Sequence, residues 1–286
     1  MVVTLPPEIT DMIISLVNSP KSLCNCALVC HDWLPASRCR LFYRTCVRTA
    51  RSYDLFITRI VRSESLSPWL GWMHTFAVDG RTSLVDSMRG LYRKAHGQSF
   101  LNSDPAWTRR FILELPSHTP NLIRLELFFI DWIEHSPHPA AFRAFSQFSS
   151  VTTFVIYECR FPSFTAFRQA IVSLPSLTTL TLGNFIWPSE PEQSTWRLTC
   201  YQARPKLQTL VVTPQLPSSG TSMFALFPWI LRTPTKHTLR HLVFCPGSAL
   251  SLDPDPEHRD MTRFLQEVAP SLLSLRIDFL SSELST

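Results

Sequence analysis

A six-residue apolar template recurs along the chain: LIRLEL at 122–127, VTTFVI at 151–156, LTTLTL at 177–182, LQTLVV at 207–212, LRHLVF at 239–244 and LLSLRI at 272–277. Its period of two marks a strand with one face buried. Successive copies start 29, 26, 30, 32 and 33 residues apart, with MHTFAV at 73–78 an earlier copy and Tyr43 to Arg48 a weaker first one. Pro120-Asn121, Pro175-Ser176, Pro205-Lys206 and Pro270-Ser271 each stand directly before a copy. Proline there stops an incoming helix and sets an extended approach to the strand. TAFRQAIVSL at 165–174 and RDMTRFLQEVA at 259–269 carry helical patterns between copies. Parallel strands require such crossovers.

Similar strands at near-constant spacing predict an α/β fold with a parallel sheet built as a solenoid, the alternative being a doubly wound α/β domain. The period of two turns the template leucines inward. It leaves an open face of Arg124, Glu126 and Phe128; Thr153, Val155 and Tyr157; Thr179 and Thr181; Thr209, Val211 and Thr213; His241 and Val243; Ser274, Arg276 and Asp278. The centre of this face is neutral and threonine-rich, and its flanks carry charge. A protein target would meet hydroxyls and apolar groups centrally; the alternative is a face covered by loops or unused.

Before the repeats the period changes to that of a helix. In LPPEITDMIISLVN at 5–18, Ile9, Met12, Ile13, Leu16 and Val17 fall at helical spacing, and Pro6 and Pro7 are confined to the first turn, where missing amides cost nothing. Glu8 and Asp11 suit the positive end of the helix dipole. Ser19 is a candidate N-cap before Pro20 and opens a second helix, with Leu23, Ala27, Leu28 and Val29 as its apolar side. Pro35 then interrupts, placing a third short helix over Ala36 to Phe42. A module of about 40 residues buries too little to stand alone, so it must pack on a partner or on the body.

The blocks LPPEI, IISLV, SLCNCALVCHDW and RLFYR, in this order and spacing, resemble the F-box. That pattern has a leading Leu-Pro-x-Glu-Ile, a paired apolar stretch, a Leu-Val-Cys-x-x-Trp core and a closing aromatic segment. Pro35 departs from it where the third helix usually continues, as does Phe42-Tyr43 where tryptophan is usual. A short strand and a crossover helix about every 30 residues resemble the leucine-rich repeat over roughly 69–280, and the combination is similar to the fungal-type F-box-like family with degenerate leucine-rich repeats. The resemblance implies a three-helix F-box over 1–45 that docks on a Skp-type adaptor, linked in turn to a cullin-RING ubiquitin ligase. Leu5, Pro6, Ile9, Ile13, Leu16, Leu23, Leu28, Val29, Trp33 and Leu41 are then the residues that contact the adaptor or fix the helices. Residues 46–286 would form the leucine-rich-repeat solenoid and bind a protein target, although the usual Asn or Cys step after each strand is met only by Cys159. An interaction scaffold outside any ligase, or a repeat module with a helical cap, are the alternatives.

Composition adds mainly exclusions. Apolar residues make up 45% and charged residues 17%, the profile of a folded protein. Only 7 glycines stand against 23 prolines, and no GxGxxG, P-loop or GxSxG motif occurs, so neither an enzyme nor a cofactor is expected. The net charge of +5 is mild, and its densest patch, Arg89, Arg93 and Lys94 beside Arg109 and Arg110, reads as a solvated helix face rather than a nucleic-acid stripe. Cys24, Cys26, Cys30 and His31 invite a zinc reading. On a helix, however, Cys24 lies about 200° round from Cys26, so four ligands do not converge and no metal is expected. His135 and His138 flank Ser136-Pro137 in a proline-rich loop. With no signal-peptide pattern and no long uncharged apolar run, the cytosol or nucleus is expected, where the eight cysteines remain thiols.

Overall fold

The computed structural model describes residues 6–81, 107–133, 138–187, 204–213, 225–245 and 256–278. Three helices open the chain: α1 (Pro7–Ser15), α2 (Pro20–Cys26) and α3 (Trp33–Tyr43). The chain then forms eight strands: β1 (Arg44–Val47), β2 (Thr75–Asp79), β3 (Arg124–Phe128), β4 (Thr153–Tyr157), β5 (Thr179–Gly183), β6 (Thr209–Thr213), β7 (His241–Phe244) and β8 (Ser274–Ile277). Helices lie between them, α4 (Ala50–Phe56), α5 (Trp107–Glu114), α6 (Pro139–Arg143), α7 (Phe164–Ser173), α8 (Leu226–Leu231), α9 (Thr235–Thr238) and α10 (Pro256–Val268), with shorter 3-10 and π segments.

All eight strands belong to one parallel sheet in the order β1 to β8. A doubly wound sheet reverses its strand order at a switch point; here the order never turns. From β2 onward every strand begins on the third residue of its template, and these third residues pair across the sheet: Thr75 with Arg124, then Thr153, Thr179, Thr209, His241 and Ser274. The carbonyl of the second residue sets that alignment. His74 O accepts from both Ile123 N and Arg124 N, and Ile123, Thr152, Thr178, Gln208 and Arg240 repeat the arrangement toward the next strand.

Below the sheet the first, fourth and sixth template positions are buried from β2 to β6, as in Leu122, Leu125 and Leu127 or Leu177, Leu180 and Leu182. Aromatic rings fill the space between sheet and helices. One chain of contacts runs Phe56, Phe76, Phe111, Phe145 and Phe154, and another links Trp132, Phe161, Phe167, Phe185 and Trp187 at centroid distances of 5.0–5.6 Å. α7 contributes Phe164 and Phe167 to this layer, and its start is fixed by Ser163, whose side chain accepts from Ala166 N at 3.1 Å.

Three strands end in the same strained turn. Phe129, Glu158 and Asn184, each one residue past β3, β4 and β5, have φ of 55°, 54° and 48°. The turns lead to isolated bridges joining Asp131 to Arg160 and Arg160 to Ile186. Side chains tie them together: Arg160 donates to Asp131, and Asn184 Nδ2 donates to Glu158 Oε1 at 2.6 Å. Cys159, between these points, is fully buried and its Sγ lies 3.5 Å from Leu127 O. Burial pushes its thiol up to about 12.

Two expectations are corrected. The third helix starts at Trp33 rather than Ala36, because Pro35 falls in its first turn, where no intrahelical acceptor is lost. The crossovers are also less uniformly helical than α7 and α10 suggest, since β1 and β2 are joined by α4, a π turn at Ile57–Val61 and a 3-10 turn at Ser67–Trp72.

The alternation within β5 gives a direct test. Leu180→Ala, at a fully buried site, is expected to cost about 2–5 kcal/mol in chemical denaturation. Thr181→Ala, next to it on the open face, should cost under about 1 kcal/mol.

Candidate interaction surfaces

The N-terminal helices divide their apolar residues sharply. α1 begins with Pro7 at its first position and carries Glu8 in its first turn. It turns Thr10 and Ile14 inward, one turn apart. Ser19 caps α2 by accepting from Ser22 N at 3.3 Å, and α2 buries Leu23. α3 presents Ser37, which is fully buried. The stripe legible in the sequence is therefore the outer one. Ile9, Met12, Ile13 and Leu16 are exposed on α1, with Leu16 at 75%, and Leu28 and Val29 are exposed after α2 at 84% and 62%. Six of the fifteen exposed large apolar side chains among the described residues lie between 9 and 29.

The expected docking residues thus separate by position. Pro6, Ile9, Ile13, Leu16, Leu28 and Val29 are exposed, Leu23 is buried, Trp33 and Leu41 are half-buried, and Leu5 lies outside the described residues. Thr10, Ile14 and Ser37, which hold the inner side, were not singled out by the sequence pattern; only their spacing beside the apolar stripe signals them.

α3 joins the helices to the sheet without a linker, since Tyr43 ends it and Arg44 begins β1. Tyr43 stacks on His74 at 4.8 Å, and Arg38 lies 5.7 Å over the Trp69 ring of the 3-10 turn. Arg40 donates to Asn18 Oδ1 at 3.2 Å, binding α3 to the connection between α1 and α2.

The open sheet face is less uniform than its pattern suggests. Thr153, Thr179, Thr181, Thr209, Val211 and Thr213 are half-buried across the middle, while His241, Ser274 and Arg276 are exposed near β8. Val243 and Asp278 are half-buried, and Arg276 donates to Asp278 at 2.8 Å. Val155 is buried. The Tyr157 ring lies across Gly183, where an added Cβ would stand 2.4 Å from Cδ2. Phe128 is half-buried beside Tyr157, with ring centroids 6.5 Å apart.

Glu126 is the clearest correction on this face: it is buried rather than open. Arg44 and Arg124 close over its carboxylate from β1 and β3, at 3.0 and 2.5 Å. A charge is tolerated there because it is paired. Asp79, at the end of β2, has the same environment and was missed. It is buried and held by Arg81 at 2.7 Å, with Arg48 at 3.5 Å. Its place in register with Phe128 was the available signal. Hydrogen bonding to Asp79 raises the Arg81 guanidinium above its ordinary range.

Other candidate chemistry resolves simply. Arg110 pairs with Asp54 and Glu114 at 2.6 and 3.1 Å, whereas Arg89, Arg93 and Lys94 lie outside the described residues. His138 caps α6 through Nδ1, which accepts from Ala140 N at 3.2 Å; His135 lies outside the described residues. Cys24 and Cys30 are exposed free thiols, and no group of three or more His, Cys, Asp or Glu is placed to hold a metal among the described residues. Nor, among the same residues, is any helix long and apolar enough to cross a membrane.

The F-box-like family model matches residues 2–48, the span of α1, α2, α3 and β1. The chain carries an F-box-like domain there. A search of curated proteins returns no match to the chain.

The division between inner and outer residues is measurable. Ile14→Ala and Leu23→Ala should each lower unfolding free energy by about 2–4 kcal/mol, while Leu16→Ala and Leu28→Ala should each change it by under about 0.5 kcal/mol.

Proposed function

We propose that the chain is the substrate-recognition subunit of an SCF-type (Skp-cullin-F-box) ubiquitin ligase, in which residues 1–45 dock on a Skp-type adaptor and residues 46–286, read as degenerate leucine-rich repeats, bind a target protein. The observation that carries this reading is the coincidence of the F-box-like match with a cluster of exposed apolar side chains on the same helices. Large apolar groups left in water lose the favourable transfer that drives folding, so their natural state is against a partner. Ile9, Ile13, Leu16, Leu28 and Val29, with Leu5 and Pro6 at the start, supply the contact. Leu23 fixes the helices, and half-buried Trp33 and Leu41 serve both ends.

The role asks for no catalysis by this chain and no cofactor. A receptor raises the effective concentration of its target near the activated ubiquitin, so what matters is a defined geometry between two binding surfaces. The direct run from α3 into β1 supports such geometry. The open face is the proposed target surface, through Arg124, Phe128, Thr153, Tyr157, Thr179, Thr181, Thr209, Thr213, His241, Arg276 and Asp278, with Glu126 acting beneath its arginines. The reading implies action in the cytosol or nucleus.

Co-purification with a Skp-type adaptor tests the proposal. Wild-type chain should retain adaptor and, through it, cullin, and the Ile9→Ala/Leu28→Ala double variant should bind roughly tenfold or more weakly. Leu55→Ala, at an exposed apolar site on α4, should bind as wild type. Failure of wild type to retain adaptor, or unchanged retention by the double variant, defeats the docking assignment, and adaptor without cullin defeats the ligase assignment.

A further inference from the structure

Four arginines gather on the open face where β1, β2 and β3 meet. Arg44 and Arg124 stand on either side of Thr75 in one register and converge on Glu126. Arg48 and Arg81, at the far ends of β1 and β2, converge on Asp79. Both carboxylates are almost sealed, with side chains 5% and 3% exposed, while Arg44 and Arg48 are 65% and 66% exposed. Solvent therefore meets guanidinium groups, and the cluster has two more positive than negative charges. Each guanidinium has five donors in a fixed fork, and Arg44 places one on Glu126 at 3.0 Å. The buried acids hold the arginines in place before any ligand arrives, which lowers the ordering cost of binding.

Between the two arginine pairs, in one register, lie exposed Cys46, buried Ala77 and Glu126. In the register of Asp79, an aromatic shelf of Phe128 and Tyr157 continues across β3 and β4. Arg81 lies 4.6 Å over the neighbouring Phe129 ring and joins shelf to cluster.

We infer that this corner of the open face binds an acidic peptide segment, seating its carboxylates on the arginines and an apolar side chain on the Phe128 and Tyr157 shelf. The inference deepens the receptor reading by giving the chemistry of the target. The arginines are spread over three strands and around two separate acids, so they match several single charges along an extended chain, which advances about 3.3 Å per residue. A single phosphate would need them converged on one point. A nucleic-acid strand would need positive charge interleaved with stacking rings along its path. From β5 to β7 the face is instead neutral and threonine-rich.

Fluorescence anisotropy on the full chain tests this, with a fluorescein-labelled peptide of alternating glutamate and glycine around one phenylalanine as probe. The peptide should bind, and more weakly as salt rises from about 50 to 500 mM. Arg44→Gln/Arg48→Gln should weaken it roughly tenfold and Arg48→Gln alone by a smaller factor, since charge-assisted bonds are lost. Arg263→Gln, an exposed arginine on α10 in the helix layer and away from the open face, should bind as wild type. No binding at about 1 mM peptide overturns the inference. So does equal loss in Arg263→Gln, or tighter binding of a phosphoserine peptide or single-stranded oligonucleotide of equal charge. Adaptor retention is measured on the same proteins. Peptide binding without adaptor retention counts against the receptor reading alone, and adaptor retention without peptide binding counts against the acidic-peptide site alone.

Discussion

The body of this protein depends on one backbone constraint, repeated at each step of the sheet from β2 to β8. A carbonyl at the second template position accepts two consecutive amides from the next repeat and thereby places third residue against third residue. A one-residue slip would send every inward side chain to the open face. With the register held, Leu125, Phe154, Leu180 and Leu210 line up beneath the sheet, and the rings between sheet and helices meet in continuous chains. Hydrogen bonding sets the alignment here, and apolar burial supplies the stabilisation.

The same constraint reaches the N-terminal helices through β1. Its residues pair Arg44 with Thr75 and Val47 with Val78, so the strand that ends the F-box-like match is also the first strand of the sheet. Tyr43 on His74 and Arg38 over Trp69 brace that junction from the helix side. The surface that exposes Leu16 and Leu28 and the face that carries Arg44 are consequently parts of one continuous chain geometry. A target held near Arg44 would lie close to the helices in space because no flexible connection intervenes.

Much of this was legible in the sequence, for reasons that also explain what was not. The strands were readable because period two and a spacing near 30 residues are properties of position, and both survive the loss of most consensus residues. The helix face of Ile9, Ile13 and Leu16 was equally readable, but a pattern identifies a stripe without saying what covers it, and Thr10 and Ile14 turned out to be the inner pair. Glu126 and Asp79 escaped because each is covered by an arginine two residues along, Arg124 or Arg81, together with one from the β1 segment, and Arg44 is 82 residues from Glu126. The left-handed turns at Phe129 and Glu158 escaped for a different reason. Neither residue type favours that conformation, unlike Asn184, so the bridges on either side hold a strain that local preference opposes.

Burial at the inward positions comes from neighbours on both sides as much as from the helices beneath. Leu275 and Ile277 on β8 occupy the places that Leu180 and Leu182 hold on β5, and they belong to the same template. The β5 pair is fully buried, whereas the β8 pair is 47% and 41% exposed. α10 buries Phe264 and Val268 against the body, yet it does not close over these two leading residues of the last strand. A single strand and helix therefore cannot seal its own apolar face; each unit is completed by the next. That dependence explains why the strand order follows the chain without reversal, since only an immediate successor in the same register presents matching side chains.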